Sequence, residues 1–273
     1  MPGRNRTESD ETSAEIHDRV AEQFGAAAGA YSLSLTHSDA AALERVVALT
    51  RPEPTAVALD IATGAGHTAL ALAPRVLSVI AYDLTEPMLA ETARNAAARG
   101  LKNVTTHRGA AESLPFPDAT FDIVTVRQAP HHFADIHAAV HEMARVARAG
   151  ARVVIVDSTA PEDDSLDRQW NYIEKLRDSS HVRNYRPSEW REFVVEAGLS
   201  PFFEEFGWAS EQGGPMDFDA WIRRINTPSD AGAAVERLFR TASADLAQAL
   251  RIETIDEKLY FRVPQFTIAC LKP

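Results

Sequence analysis

The chain has 273 residues, 45% of them hydrophobic and 25% charged, which suits one large domain, or one domain with an inserted cap, and excludes disordered and fibrous classes. A formal net charge of −11 gives a field that repels phosphate backbones and anionic lipid heads, so neither nucleic acid nor a membrane is an expected partner. The single cysteine, Cys270, has no disulfide partner and no second cysteine for a zinc site; it reads as a small buried residue of the last strand in a reducing compartment.

Residues 1–13 are rich in Arg, Glu, Asp, Ser and Thr and are expected to form a flexible tail, followed by a single domain over 14–273. The start, MPGRNRTESDETSAEIHDR, lacks an apolar secretion core, and no later stretch is long enough to span a bilayer, so a soluble, cytoplasmic protein is expected. Helical patterning starts near Glu15. A small-residue turn region is predicted around Phe24 to His37, then a helix through Leu49 that Pro52 and Pro54 terminate.

Five short β-rich runs then alternate with amphipathic helical ones: AVALDIA, LSVIAYDL, NVTTHRG, FDIVTVRQ and ARVVIVDS. Their near-continuous apolar character predicts central strands of a mostly parallel, open α/β sheet with helices on both faces, a Rossmann-like arrangement. Between them, Thr85 is a predicted N-cap, with Pro87 in the first turn and Gly100 as the stop. Ile136, Val140, Met143 and Ala147 recur at helical spacing, and Gly150 is expected to close that helix. A helix over Trp170 to Leu176 follows, then SEWREFVVEAGL as a helix capped by Ser188, and a strand-like SPFFEEFG. Residues 216–251 read as a helical insert interrupted at Pro228. LYFRVPQFTIACL reads as a closing strand in which Pro264 predicts a bulge or an edge.

The chemistry centres on D-I-A-T-G-A-G, Asp60 to Gly66, where the first central strand gives way to a helix. Gly64 and Gly66 let the backbone turn tightly and approach a ligand closely, and Thr63 and Ala65 belong to the same turn. A carboxylate at Asp60 sits badly beside a pyrophosphate but suits the cationic amino or sulfonium group of S-adenosylmethionine; the alternative is a loop carboxylate that bonds backbone N–H groups. Asp83 ends the next strand at the spacing where an acidic side chain accepts both hydroxyls of a ribose, with helix capping as the alternative.

With GAAESLPFPDATFDIVTVRQAPHHF following, the chain resembles the class I methyltransferases, and more narrowly the small-molecule branch related to ubiquinone and menaquinone biosynthesis. The resemblance covers roughly residues 55–200. It implies a seven-stranded sheet with an antiparallel last strand and the cofactor lying across the C-terminal strand ends. It divides the domain into an N-terminal helical lid (14–50), a cofactor-binding core (55–200) and C-terminal strands with the insert (201–273). By the matching motifs, Asp60, Gly64 and Gly66 hold the methionine part, Asp83 the ribose, Leu84 and Met88 the apolar flank of the adenine, and Ala111 and Glu112 its edge. Relatives commonly carry Asp where this chain has Ala110, so the hydrogen bond such an Asp makes to the adenine amine is absent here unless Ala111 replaces it. Tyr31 and His37 match positions that fold over the cofactor as a lid.

Arg127, Gln128, His131 and His132 follow the strand FDIVTV and are expected at the same carboxyl edge. Arg127 is a candidate for the methionine carboxylate or an anionic substrate. For a hydroxyl or phenol acceptor, His132 is the first choice of base and His131 the second. His67 follows the Gly turn, and His107 lies in the third strand. His137 and His141 have the spacing of a metal pair, but with no acidic third ligand apparent they are expected to face solvent, and no metal is predicted. Trp170, Tyr172, Tyr185, Trp190 and Trp208 fall where related enzymes place substrate-covering helices.

The predicted activity is methyl transfer from S-adenosylmethionine to O, N or C of a small metabolite, with a homodimer left open. Two alternatives stand beside it: a cofactor-binding protein of the same fold without turnover, and an NAD-dependent oxidoreductase. The second lacks a Tyr-x-x-x-Lys pair.

Overall fold

The computed structural model describes residues 11–32, 39–209 and 214–273. In chain order the elements are α1 Ser13–Ser32, α2 Ala40–Thr50, β1 Val57–Ile61, α3 His67–Leu72, β2 Ser78–Asp83, α4 Glu86–Ala98, β3 Val104–Arg108, β4 Phe121–Arg127, α5 Ile136–Val146 and β5 Ala147–Ser158. After these come α6 Asp164–Arg177, α7 Pro187–Glu196, β6 Ser200–Ala209, β7 Met216–Asp217, α8 Phe218–Arg223, α9 Ser229–Arg240, α10 Ala244–Ala249, β8 Glu253–Ile255, β9 Lys258–Phe261 and β10 Val263–Leu271.

Seven strands form one sheet in the order β3-β2-β1-β4-β5-β10-β6. β10 runs antiparallel to both neighbours, β5 and β6, while the pairings among β1 to β5 are parallel. Alternate residues of one strand feed opposite cores. Ala58 packs with Val47 of α2 and with Ala69 and Leu72 of α3. Leu59 and Ile61 pack with Val140 and Met143 of α5 and with Trp190 and Val194 of α7. Each fully buried Val, Ile or Leu of these strands contributes about 1.5–3 kcal/mol of transfer free energy, which is why the runs are apolar at successive positions. The strand order reverses between β1 and β4, and the helices leaving those strands diverge to open a crevice at their carboxyl ends.

The region after β6 is more than a helical insert. β7, β9 and β8 make a separate three-stranded antiparallel sheet. It closes, with α6, α8, α9 and α10, on a second apolar core built from Trp170, Phe218, Trp221, Val235, Phe239, Leu246 and Phe261. The Trp170 and Trp221 rings stack at 6.2 Å. LYFRVPQFTIACL is accordingly two strands, the first in the small sheet and the second in the large one. Pro264 is no edge residue, because β10 lies between β5 and β6; the register irregularity falls at Ala269/Cys270 instead. Proline is tolerated there because it sits one residue outside the β5 register, which stops at Gln265↔Ser158.

Other local expectations are corrected. The segment from Phe24 to Ser32 continues α1, since a run of alanines favours helix more than two glycines oppose it. Gly150 does not close α5, which ends at Val146; with φ +82 it bends the start of β5, where the pairing to β4 shifts between Phe121 and Ile123. Ser188 lies inside α7, whose cap is Arg186 with Glu189 bonding back to its N–H at 2.8 Å. Thr85 holds the N-cap position of α4, but its hydroxyl donates to Asp83 rather than accepting from the helix. No described helix is long and apolar enough to cross a membrane.

Candidate functional site

At the carboxyl ends of β1, β2 and β4 the crevice widens into a cleft of about 980 Å³ of empty space, open solvent at its mouth included. Its floor is the turn after β1. Backbone bonds shape it: Thr63 N–H to the Tyr82 carbonyl at 3.0 Å and Gly66 N–H to the Thr63 carbonyl at 2.9 Å. Helix α4 holds it from above, the Thr92 hydroxyl donating to the Gly64 carbonyl at 2.7 Å and the Asn95 amide to the Ala65 carbonyl at 3.0 Å. The two glycines are needed for different reasons. Gly64 has φ +56, and a Cβ there would meet nothing within 4 Å, so the bare backbone faces open space. Gly66 has φ +88 and does not line the cleft; a Cβ there would stand 2.8 Å from Thr92 Cγ2, so its bareness lets α3 and α4 meet.

Asp60 is buried, and three donors occupy its carboxylate: the hydroxyls of Thr63 at 2.6 Å and Thr125 at 2.7 Å, and the Ala69 N–H at 3.1 Å. Burial pushes its pKa up to about 6 against these bonds and against the neighbouring Arg127 charge. These bonds organise the loop, and Asp60 also lines the cleft. Asp83, also buried, accepts Gly64 N–H on Oδ2 at 2.9 Å, and Thr85 N–H and hydroxyl on Oδ1, both at 2.9 Å. Burial raises its pKa as well. With two donors on Oδ1, the lone pairs of that oxygen are engaged, and Oδ2 is the oxygen that carries the Gly64 bond.

Thr63, Ala65, Leu84, Met88, Ala110, Ala111, Glu112 and Arg127 all line this cleft. Glu112 is held by Ala134 N–H at 2.8 Å, and its other oxygen lies 3.3 Å from His17 Nε2. Arg127 is half-buried near Asp60, its Nε 3.4 Å from the Thr68 hydroxyl; desolvation lowers its pKa. Gly109, before Ala110, has to be glycine because a Cβ would stand 1.9 Å from the Tyr82 hydroxyl. Sequence reasoning missed His17, Val20 and Phe24, which line the cleft from α1. Their spacing of three and four residues is a helical face, a signal obscured by starting a turn at Phe24.

The two histidines part company. His132 lines the cleft, its ring edge-on to Phe24 at 4.8 Å and its Nδ1 3.1 Å from the Ser180 carbonyl. A carbonyl only accepts, so Nδ1 carries the proton and Nε2 the lone pair. Burial and the adjacent His131 push its pKa down to about 3. His131 lines a second space instead, with Nδ1 2.7 Å from Asp157 Oδ1 and its backbone N–H on Asp157 Oδ2 at 2.8 Å. Burial alone would lower its pKa, but the Asp157 carboxylate, by charge and hydrogen bond, reverses this and holds it above the ordinary value.

The second space, about 630 Å³ with open solvent included, adjoins the first, and both are lined by Phe24, Gln128 and His132. Gln128 stands there with φ +56, a left-handed backbone that costs a non-glycine residue about 1–3 kcal/mol. Tyr185 lines neither cavity; it is buried in the main core against Trp190 and Phe193, at 5.8 and 5.2 Å. Trp170 and Trp190 are likewise core, and Tyr172 is exposed. Trp208 lies under Arg251, 3.6 Å from its ring centroid, and it is Trp221 that reaches a cavity. Tyr31 belongs to α1, but its side chain, like the whole of His37, lies outside the described residues. His67 opens α3 and lines the cleft, and the His107 ring stacks on Tyr82 at 5.7 Å. His137 and His141 are exposed, His137 lying 3.3 Å from Glu196.

Comparison with known proteins follows this geometry. A family described as a methyltransferase domain matches residues 59–155. The uncharacterized methyltransferase YcgJ of Bacillus subtilis strain 168 is 44% identical over 172 residues, 63% of this chain and 66%, just under two thirds, of that protein. Its crystal structure shares a TM-score of 0.78 at 35% identity, covering 84% of this chain and 97% of that one. The uncharacterized protein YafE of Escherichia coli strain K12 is 37% identical over 184 residues, 66% of this chain and 85% of that protein. A demethylmenaquinone methyltransferase of Anoxybacillus flavithermus is 30% identical over 173 residues, 59% of this chain and 73% of that protein.

Proposed function

The chain belongs to the class I methyltransferases, and we propose that its cleft binds S-adenosylmethionine for methyl transfer to O, N or C of a small metabolite in the cytoplasm. The observation that carries this reading is the pairing of Gly64, bare at φ +56 and open to the cleft, with Asp83, whose Oδ2 accepts the Gly64 N–H. The turn approaches a ligand closely on one side, and on the other a carboxylate stands at the end of the next strand, the place from which an acidic side chain meets a ribose diol.

The donor set fits the rest of the cofactor. Leu84 and Met88 offer an apolar flank for a purine, with Ala110 and Ala111 opposite and no side-chain acceptor at Ala110. Arg127 offers a cation for the amino-acid carboxylate, and Asp60, which lines the cleft beside the turn, favours an ammonium and a sulfonium over a diphosphate. The buried Asp60 carboxylate beside the turn would repel a diphosphate, which weighs against the oxidoreductase alternative. When bound, S-adenosylmethionine supplies an electrophilic methyl carbon on sulfur. The protein's part is to align the acceptor, exclude water and hold a proton where the acceptor releases one.

The test is calorimetric titration of the purified chain with S-adenosylhomocysteine and with NAD, followed by label transfer from methyl-labelled donor to a metabolite panel. Heat with the homocysteine product and none with NAD is expected. NAD binding in its place overturns the reading, and binding without transfer to any of the panel favours the non-catalytic alternative.

A further inference from the structure

The second cavity has walls of two kinds. Ala209, Met216, Trp221, Ile225 and Val263 make an apolar side where the end of the large sheet meets the second core. Facing them are His131, Glu174, Arg177, Asp178, His181 and Arg224. This side carries charges of both signs. Arg177 donates to Glu174 at 3.2 Å and lies over the Trp221 ring at 4.1 Å, and Asp178 accepts the Ser180 hydroxyl at 2.6 Å. A strongly charged ligand gains little from such balanced walls, whereas a body with an apolar ring and one ionisable polar group suits both sides.

We propose that this cavity is the methyl-acceptor chamber and that His131, oriented by Asp157, takes the proton of a phenolic or enolic hydroxyl bound there. The proposal rests on the reading of the adjoining cleft as the cofactor site. Because the carboxylate of Asp157 can only accept, the proton of neutral His131 sits on Nδ1 and the basic lone pair is on Nε2. The Val182 and Arg183 N–H groups hold the His131 carbonyl at 2.9 and 3.1 Å, so the residue is fixed at both backbone ends. The transfer balances: the acceptor O–H breaks and Nε2–H forms, while the acceptor oxygen, or the ring carbon its charge activates, bonds the methyl carbon as that carbon leaves sulfur. The proton later passes to water. His132 is unsuited to this step, since its imidazole is pushed down to about 3, and His181, whose Nε2 faces the Asn171 side-chain oxygen at 3.1 Å, lies well below the ordinary value.

His131 is the catalytic residue and Asp157 its positioning residue. The groups facing His131 are Asp157 and Ser158 from β5, Glu174 and Asp178 from α6 and its end, and the His132 and His181 rings at 4.1 and 5.7 Å. The carboxylates hold the imidazole up.

The test uses the full chain without cofactor and 4-nitrophenol as the probe, since its phenolate is read directly by absorbance. Bound probe is expected to ionise at a pH lower by about one unit or more than free probe. His131→Gln should abolish the shift and Asp157→Asn should reduce it. Ala209→Phe, which fills the chamber, should abolish binding. S-adenosylhomocysteine affinity should stay within about twofold in every variant. A shift that survives His131→Gln, or probe binding that survives Ala209→Phe, overturns the proposal. Loss of homocysteine-product binding by the unsubstituted chain instead overturns the cofactor reading. Should His131→Gln fail to fold, nitrogen NMR of the wild-type imidazoles decides: Nδ1 protonated, with a titration midpoint above that of free histidine, is expected, and a midpoint below it refutes the base.

Discussion

Replacing the two turn glycines by alanine separates backbone strain from ligand clearance. At Gly64 the added methyl meets no atom within 4 Å, so the stability cost is the left-handed backbone alone, about 1–2 kcal/mol. At Gly66 the same backbone term is joined by contacts of 2.8 Å to Thr92 Cγ2 and 2.9 Å to its Oγ1. Thr92 has no room to yield: it is fully buried, and its hydroxyl is committed to the Gly64 carbonyl. Overpacking of this kind adds about 1–3 kcal/mol, so Gly66→Ala should cost ~2–5 kcal/mol, a large part of a typical domain's stability. Urea unfolding followed by far-ultraviolet circular dichroism measures both. Adding Thr92→Ala to Gly66→Ala should restore part of the loss, with a coupling energy of about 1–2 kcal/mol in the double-mutant cycle. Calorimetry should show the reverse ranking for S-adenosylhomocysteine, with Gly64→Ala weakening it about tenfold or more because its methyl enters the cleft. A Gly64→Ala protein as unstable as Gly66→Ala yet binding normally would refute the division of labour.

Three further outcomes are expected. Asp60 is held in the folded chain near pKa 6, above its unfolded value of 3.8, so its contribution is fully present below the unfolded value and is lost as pH rises through 6. Asp60→Asn should remove up to ~3 kcal/mol of that slope between pH 4 and 7, seen in urea midpoints, and an unchanged slope would reject the assignment. Gly109→Ala should be strongly destabilising through its 1.9 Å approach to the Tyr82 hydroxyl, and Tyr82→Phe in the same chain should relieve part of it, the ring Cζ still standing at 2.7 Å; no partial recovery of the thermal midpoint would locate the strain elsewhere. Ala110→Asp adds an acceptor at the cleft wall and should tighten S-adenosylhomocysteine binding by about tenfold, the worth of one charge-assisted hydrogen bond; equal or weaker binding in calorimetry would remove the adenine from that wall.

The cleft proposed for the cofactor was largely legible as a set of neighbouring residues because its parts are local. A strand, a turn that needs bare backbone and an acid at the next strand end lie within Asp60 to Asp83, and the topology of parallel strands brings them together. Even there the reading assigned both glycines to the ligand. Only the tertiary contact with Thr92 gives Gly66 its separate role, because nothing in the sequence places α4 above the turn. Asp60 was ambiguous for the same reason, since Thr125 on β4 and Ala69 on α3 decide where its oxygens point.

By itself, the sequence determined the alternation of strands and helices, and with it the sheet and the crevice at its reversal point, because hydrophobic period and glycine stereochemistry act over a few residues. The tertiary structure decided the second cavity. Its walls come from Phe24, Ser158, Glu174, His181, Met216 and Val263, more than 230 positions apart at the extremes, and a side chain's proton affinity depends on such neighbours. His131 and His132 are adjacent in the chain, yet Asp157 lifts one while burial lowers the other, a difference that only long-range packing creates.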